Sequence, residues 1–541
     1  MRSASLLPTK EMNNLLTLHG IQKTWLSLLL THSKHPKYKE GAKTQILSAK
    51  EFAGGITLKV DLLSGLTIGE IGILYEFSLA ATDPESRKEA GQYFTPDDVA
   101  TWMASHSDGF AKGIWLDPCS GVGNLSYPLI SRQENPEKFL LNNLILADLD
   151  PLALLIARTI FTLRFFDKDT NLFSNIKDKF LVQNFLDNPG EPRLPDSIAA
   201  YSPDFIIVNP PYVASKDEDG VWETAKARDL YAYFMERVIK TTKGYISVTP
   251  QSYTNSNKFS ELRKLILNHI NQLKIYNFDN VPDSIFKGVK FGSTNSNTAN
   301  SVRASIMVAK KEATLIGEIQ HGITPLLRWA SADRKDMFAH VESKLNYNNA
   351  LSIDLFPKNY SGLSEMYNVV RTPDWTPLNA LLSKEKTQFK LIVPSTPRYY
   401  ITASKRELSR SSFKEIYFHD EAAMNKAYLY LNSSLLYWWW RINDGGMTLS
   451  LDTLLTCPIE NAMPISLQKA DILTKKIEQS EKDNLVYKVN AGKNNENVKH
   501  PQELIIELNN SLFRSRTASK LHMVQRNSDF EHQEILRLFI S

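Results

Sequence analysis

A chain of 541 residues, 42% hydrophobic and 23% charged, has the make-up of a globular protein of two to four domains, which excludes a disordered or fibrous chain. Lys and Arg, 63 together, barely exceed Asp and Glu at 59, so any nucleic-acid surface has to come from local clustering rather than net charge. Cys119 and Cys457 make neither a disulfide framework nor, without clustered histidines, a metal site, and the apolar run Trp25 to Leu30 is too short for a signal or a membrane span; a soluble, cytoplasmic protein with no membrane partner is expected.

Residues 1–85 read as a helical preface, with apolar residues at helical spacing from Ile68 to Leu79. Over residues 86–315 short apolar runs alternate with helical patterns. The runs are Ile114 to Leu116, Leu144 to Ala147, Phe205 to Val208, Tyr245 to Val248 and Ser305 to Val308. Such alternation predicts an α/β domain with a mostly parallel, Rossmann-like sheet. Gly292 to Ser301 is a polar, low-complexity loop inside it. Residues 316–541 form a mixed region: short strands and turns to about residue 460, then helix, interrupted by the polar stretch Asn490 to His500.

Three motifs carry chemistry. In the first, a buried strand ends in Asp117, and a turn containing Gly121 and Gly123 leads into a helix. Glycines let backbone N–H groups approach a ligand closely. No Gly-Lys-Ser/Thr follows, so the turn is not a phosphate-binding P-loop. The second is Asp148-Leu-Asp150-Pro151 at the end of the next strand. Asp148 sits where an acidic residue accepts both ribose hydroxyls of an adenosine cofactor, and Asp150 reads as a helix cap. The third is Asp204 to Tyr212, a strand running into Asn209-Pro210-Pro211-Tyr212. The prolines stiffen the turn and offer no N–H. The Asn209 amide oxygen and the Pro210 carbonyl are then two fixed acceptors for an exocyclic amino group, and Tyr212 can stack on the ring that bears it.

With these motifs, and with Gly91-Gln-Tyr-Phe-Thr95-Pro96 ahead of the glycine-rich turn, the sequence resembles the gamma-class DNA adenine-N6 methyltransferases of prokaryotic restriction–modification systems. The resemblance covers residues 70–310 in motif order, and 390–460 more loosely. It implies a class I methyltransferase sheet, S-adenosyl-L-methionine as cofactor and double-stranded DNA as partner, with a cognate restriction endonuclease as a possible further partner. Thr95 would close over the methionine end of the cofactor and Asp117 would lie near its amino group. Gly121 and Gly123 would lie against it, and Asp148 would hold the ribose. Asn184 and Phe185 stand where the family has Asp-Phe against the cofactor adenine. Asn209, Pro210 and Tyr212 would be catalytic. Phe286, with Phe291 as competitor, would sandwich the flipped base against Tyr212. Cys119 reads as packing.

Target choice needs a second surface. Lys384, Lys386, Lys390, Arg398, Lys405, Arg406, Arg410 and Lys414 stand against only Glu385 and Glu407, with Tyr399, Tyr400 and Phe413 among them. Local basic charge interleaved with aromatics predicts a DNA-recognition domain in which Lys405 and Arg406 hold phosphates. Of the consecutive Trp438, Trp439 and Trp440, at least one is expected in a core. The alternatives are a type I modification subunit that borrows specificity from a partner, and an RNA or protein amide-nitrogen methyltransferase. A bifunctional enzyme would need a nuclease ahead of Gly91, for which the preceding residues are too few.

Overall fold

The computed structural model describes residues 7–82, 95–169, 171–215, 220–280, 284–286, 302–311, 319–329, 331–396, 402–444, 448–490 and 492–526. It divides into two units, Met1–His321 with Ser352–Asp354, and Gly322–Leu351 with Leu355–Ser541. The helical preface belongs to the first unit rather than standing apart.

The first unit is built on strands β1 (Trp115–Asp117), β2 (Leu144–Asp148), β3 (Phe180–Val182), β4 (Phe205–Val208), β5 (Gly244–Pro250), β6 (Gln272–Phe278) and β7 (Ala304–Lys310). An eighth strand, β8 (Gln320–Leu327), begins with the last residues of that unit. The sheet order is β3-β2-β1-β4-β5-β7-β6-β8. Neighbours from β3 to β5 are parallel, whereas β7 runs antiparallel to both β5 and β6. This is a mostly parallel α/β sheet with an antiparallel end, as the alternation of strand and helix patterns predicts.

Strands β2 and β4 are buried at every position, the near-continuous apolar pattern of a sheet covered on both faces. The expected runs near 115, 145, 206, 246 and 306 all became strands. The helix Pro151–Phe165 starts as its sequence requires. Pro151 fills the first turn, and the Asp150 carboxylate accepts from the Leu152 and Ala153 amides at 2.9 and 3.3 Å.

A buried arginine fixes the loop after β3. Arg237, on the helix Leu230–Thr241, is fully buried. Its guanidinium donates to the carbonyls of Phe185, Asp187 and Asn188, the last two at 2.7 Å. Trp222 lies 5.0 Å from the same cation and stacks on Tyr233.

The second unit is mixed. Lys390–Pro394 pairs with Phe413–Tyr417, and Trp375–Pro377 with Pro458–Glu460. Its core collects around the helices Glu421–Asn432 and Ser434–Asn443. Trp438, Trp439 and Trp440 are all buried, and the Trp438 indole donates to Asn359 Oδ1 at 3.1 Å. The stretch expected merely to interrupt a helical tail is a hairpin, Leu485–Asn490 with Lys493–Val498.

Arg237→Leu takes the guanidinium donors away from these loop carbonyls, and each buried acceptor left bare costs about 1–3 kcal/mol. A loss of at least about 3 kcal/mol is expected in urea unfolding of the variant. A change under about 1 kcal/mol would show that the loop holds itself.

Candidate active site

The chain leaves β1 towards β2 on one side and later returns to β4 on the other. The carboxyl ends of β1 and β4 therefore diverge at a topological switch point, where open α/β sheets bind ligands. A cavity of ≈ 440 Å³ opens there. Thr95, Asp117, Gly121, Asp148, Asn184, Phe185, Asn209 and Pro210 all line it. Gly123, Tyr212 and Phe286 do not.

The glycine-rich turn is held by Asp148. Its Oδ2 accepts the Gly121 amide at 2.7 Å and its Oδ1 the Asp150 amide at 3.0 Å. Gly121 has φ +52°, and a Cβ there would meet nothing within 4 Å, so the turn is open towards the cavity. Gly123 is glycine for another reason. With φ +89°, a Cβ there would lie 2.3 Å from the Phe161 ring. It serves helix packing and not the cavity wall.

Asp117 is almost wholly buried. Its Oδ2 accepts from the Ser126 hydroxyl at 2.8 Å, while Oδ1 has no hydrogen-bond partner among the described residues. Burial pushes this carboxyl up to about 7; the Ser126 hydroxyl opposes the shift and the Asp148 carboxylate adds to it. Cys119 donates its thiol to the Asn209 carbonyl at 3.1 Å. Burial, with Asp117 and Asp148 nearby, raises its pKa well above the ordinary value, which keeps it a thiol. It joins the glycine-rich turn to the turn that carries Asn209.

Asn209 is held on two sides. Its Nδ2 donates to Thr95 Oγ1 at 2.9 Å, and its Oδ1 accepts the Tyr212 hydroxyl at 2.6 Å. The Tyr212 hydroxyl also lies 2.9 Å from the Val248 carbonyl. The expected aromatic sandwich is not formed. Tyr212 and Phe286 meet edge to face at 6.1 Å and 66°, and Phe286 is buried. Two rings clasping a base would lie parallel with a base's thickness between them, so these rings must part to admit one. Phe291 and Gly91 to Phe94 lie outside the described residues.

Asn184 is exposed at the cavity edge, and its Oδ1 accepts the Leu186 amide at 3.0 Å. Phe185 is buried against Phe234, another cavity residue, at 5.2 Å. The preface helix supplies contributors that lie outside the sequence motifs. Gly72 and Tyr75, from the preface helix Ile68–Thr82, line the cavity, and the Tyr75 hydroxyl bonds Asp150. Asn124 also lines it, donating to the Thr95 carbonyl at 3.1 Å.

In the second unit Lys405 and Arg406 are both ion-paired within the chain. Lys405 Nζ lies 2.6 Å from Glu478 Oε1, and Arg406 Nη2 lies 2.6 Å from Glu496 Oε1, with Glu481 beyond. Lys390 pairs with Glu407 and Glu415, and Arg410 bonds the Glu496 carbonyl and Asn497. Lys390, Lys405 and Arg406 thus each face carboxylates, and those of Lys405 and Arg406 come from distant parts of the sequence. Lys384 and Lys386 remain exposed, while Arg398, Tyr399 and Tyr400 lie outside the described residues.

Residues 142–286 match the family model described as Eco57I restriction-modification methylase. That segment runs from β2 past the Asn209–Tyr212 turn to Phe286. No curated protein matches the sequence. Among solved structures, the chain is similar to the type IIG restriction endonuclease BpuSI, at 11% identity and TM-score 0.41, over 99% of this chain and 79% of that one. It is similar to the type I restriction-modification methyltransferase subunit from Streptococcus thermophilus at 15% and 0.35, over 67% and 78%. The DrdV–DNA complex follows at 15% and 0.38, over 58% of this chain but only 37% of that one.

Two outcomes are expected. An ammonium-bearing ligand prefers Asp117 ionised, so affinity for S-adenosylhomocysteine should rise several-fold between about pH 6 and pH 7.5. Without ligand the sign reverses: a raised carboxyl makes ionisation destabilising, so the free protein loses stability as pH climbs towards about 7. Calorimetry on Asp117→Asn should give a flat profile; a profile as steep as wild type would put the titrating group elsewhere. Replacing Lys405 and Arg406 by Ala should lower thermal stability and leave the salt dependence of DNA binding unchanged. A slope flattened by about two counterions would restore them as phosphate contacts.

Proposed function

We propose that the protein is a site-specific DNA methyltransferase of the restriction–modification type. In this reading it transfers the methyl group of S-adenosylmethionine to the N6 amino group of an adenine flipped out of duplex DNA. The observation that carries the reading is that Asn209 and Pro210 line the same cavity as Asp117, Gly121 and Asp148. The amino-group acceptors and the cofactor candidates thus share one space.

The cavity fits such a cofactor: Asp117 Oδ1 is a buried acceptor without a partner among the described residues, and the Gly121 face is open. Asp117 would face the amino group, Asp148 the ribose, and Phe185 with Phe234 the adenine. When bound, S-adenosylmethionine supplies a methyl group activated on a sulfonium. The protein's own part is positional. Asn209 Oδ1 and the Pro210 carbonyl would accept the two hydrogens of the target amino group and turn its lone pair towards the methyl carbon. Thr95 holds the Asn209 amide in orientation through Nδ2. Preorganised acceptors of this kind act mainly by electrostatics and alignment.

Adenine is favoured over cytosine because the larger ring gains more from Tyr212 and Phe286, and stacking contributes about 1–3 kcal/mol per base. A base of either kind has to be extruded from the duplex first. A cognate restriction endonuclease is part of this reading. A second reading, a type I modification subunit that takes its specificity from a partner, is favoured by the internal pairing of Lys405 and Arg406.

Asn209→Ala should keep cofactor affinity and lose about a hundredfold or more in turnover. Mass spectrometry of nucleosides from DNA treated with the purified protein should show N6-methyladenine. N4-methylcytosine alone would overturn the base, and no methylation until a second subunit is added would select the type I reading.

A further inference from the structure

The chain does not leave the Asn209–Tyr212 turn freely. Its next residues are bonded back to the start of the helix Leu230–Thr241: the Leu230 amide donates to the Val213 carbonyl at 2.9 Å, and the Ser215 amide to the Arg228 carbonyl at 3.1 Å. Leu230 lines the cavity, so Arg228 stands two residues from the cavity wall. Arg228 has φ +49°, in the left-handed region where a residue with a Cβ is uncommon and strained. Its side chain is exposed and makes no hydrogen bond or ion pair among the described residues. Lys226, in the short turn Ala225–Ala227 just before it, is in the same condition.

A second turn, Asn257–Phe259, packs beside Ala225–Ala227 and carries the exposed Lys258. Lys258 Nζ lies 4.8 Å from the centre of the Phe259 ring. Phe259 stacks on Tyr231 at 5.1 Å, and Tyr231 meets Tyr212 edge to face at 6.3 Å. Two rings therefore separate this cation from Tyr212. The carboxylates of these segments are engaged: Glu223 pairs with Lys240, Glu261 with Lys264, and half-buried Asp229 feels the Lys258 charge. Residues 216–219, Lys-Asp-Glu-Asp, lie outside the described residues.

Guanidinium and ammonium groups bring donors only, so exposed ones fit an anion with several oxygens. A flipped base stays tied to its backbone, and the phosphates on either side of it have to pass close to the ring it stacks on. We infer that Arg228, with Lys226 and Lys258, forms a phosphate-binding surface that holds the DNA backbone beside the extruded base. The inference rests on the DNA-methyltransferase reading above and adds to it a surface in the first unit that no sequence motif marks.

The test is fluorescence anisotropy of the full chain with a labelled DNA duplex of mixed sequence, at several salt concentrations. Arg228→Gly suits the left-handed backbone, so it removes the charge without straining the turn. It should flatten the salt dependence by about one counterion, and the triple variant with Lys226→Ala and Lys258→Ala by about two to three. Arg228→Lys should keep the slope, and S-adenosylhomocysteine affinity by calorimetry should stay within about twofold throughout, since no cavity residue is touched. A wild-type slope in the triple variant overturns the inference, as does a flattened slope accompanied by an equal loss of S-adenosylhomocysteine binding, which marks a collapsed turn. Should the triple variant not fold, an unchanged slope in Arg228→Gly overturns it equally. An RNA duplex bound more tightly than DNA, with the same loss in the variants, would give the surface to RNA and overturn the DNA assignment. Wild-type protein with no affinity for either duplex overturns the nucleic-acid reading itself, an outcome distinct from all of these.

Discussion

The cavity depends on one short segment that is not part of the sheet. Thr95 receives the amide of Asn124, which follows β1, and the amide of Asn209, which follows β4. Two residues on, Asp97 accepts the Gly69 amide and the Thr67 hydroxyl, at the start of the preface helix. Gly69 has to be glycine, since a Cβ would lie 2.4 Å from the Asp97 carboxylate. Within three residues, both diverging strand ends and the preface helix are tied together. Each bond contributes only about 0.5–1.5 kcal/mol, but they share one backbone, so they orient one another.

The sheet was legible because its central strands are buried on both faces. Leu144 to Ala147 and Phe205 to Val208 carry no polar interruption. Strands β3 and β6 do not stand out as runs because their exposure is mixed: Val182 is open to solvent, and Gln272 and Lys274 are half-buried. The turn residues were legible for a similar reason. Asp150 before Pro151 has one local job, and it does that job. Gly123 was half legible: the need for glycine could be read, but its cause, the Phe161 ring, is a tertiary fact.

The basic segment of the second unit marks the limit of composition as a guide. Lys405 and Arg406 are crowded by positive neighbours along the chain, which suggested a free cationic surface. Glu478, Glu481 and Glu496 lie far along the sequence, and folding brings them to the same place. Glu481 is itself buried, bonded by the Ser404 and Tyr428 hydroxyls. Lys405 and Arg406 belong to a polar network within the unit. Charge counted within a window of sequence is blind to carboxylates delivered from another element.

The contact between the Tyr212 hydroxyl and Asn209 Oδ1 bears on where selectivity and affinity come from. Under the proposed function, an amino group arriving at Asn209 would exchange one hydrogen bond for another and would not make a first one. The exchange contributes little net free energy, whatever the strength of either bond alone. A ring without an amino group, however, gives the acceptor nothing in return for the hydroxyl it displaces. In the proposed reading the asparagine would therefore work as a filter on what docks, and the holding force would come from the aromatic faces.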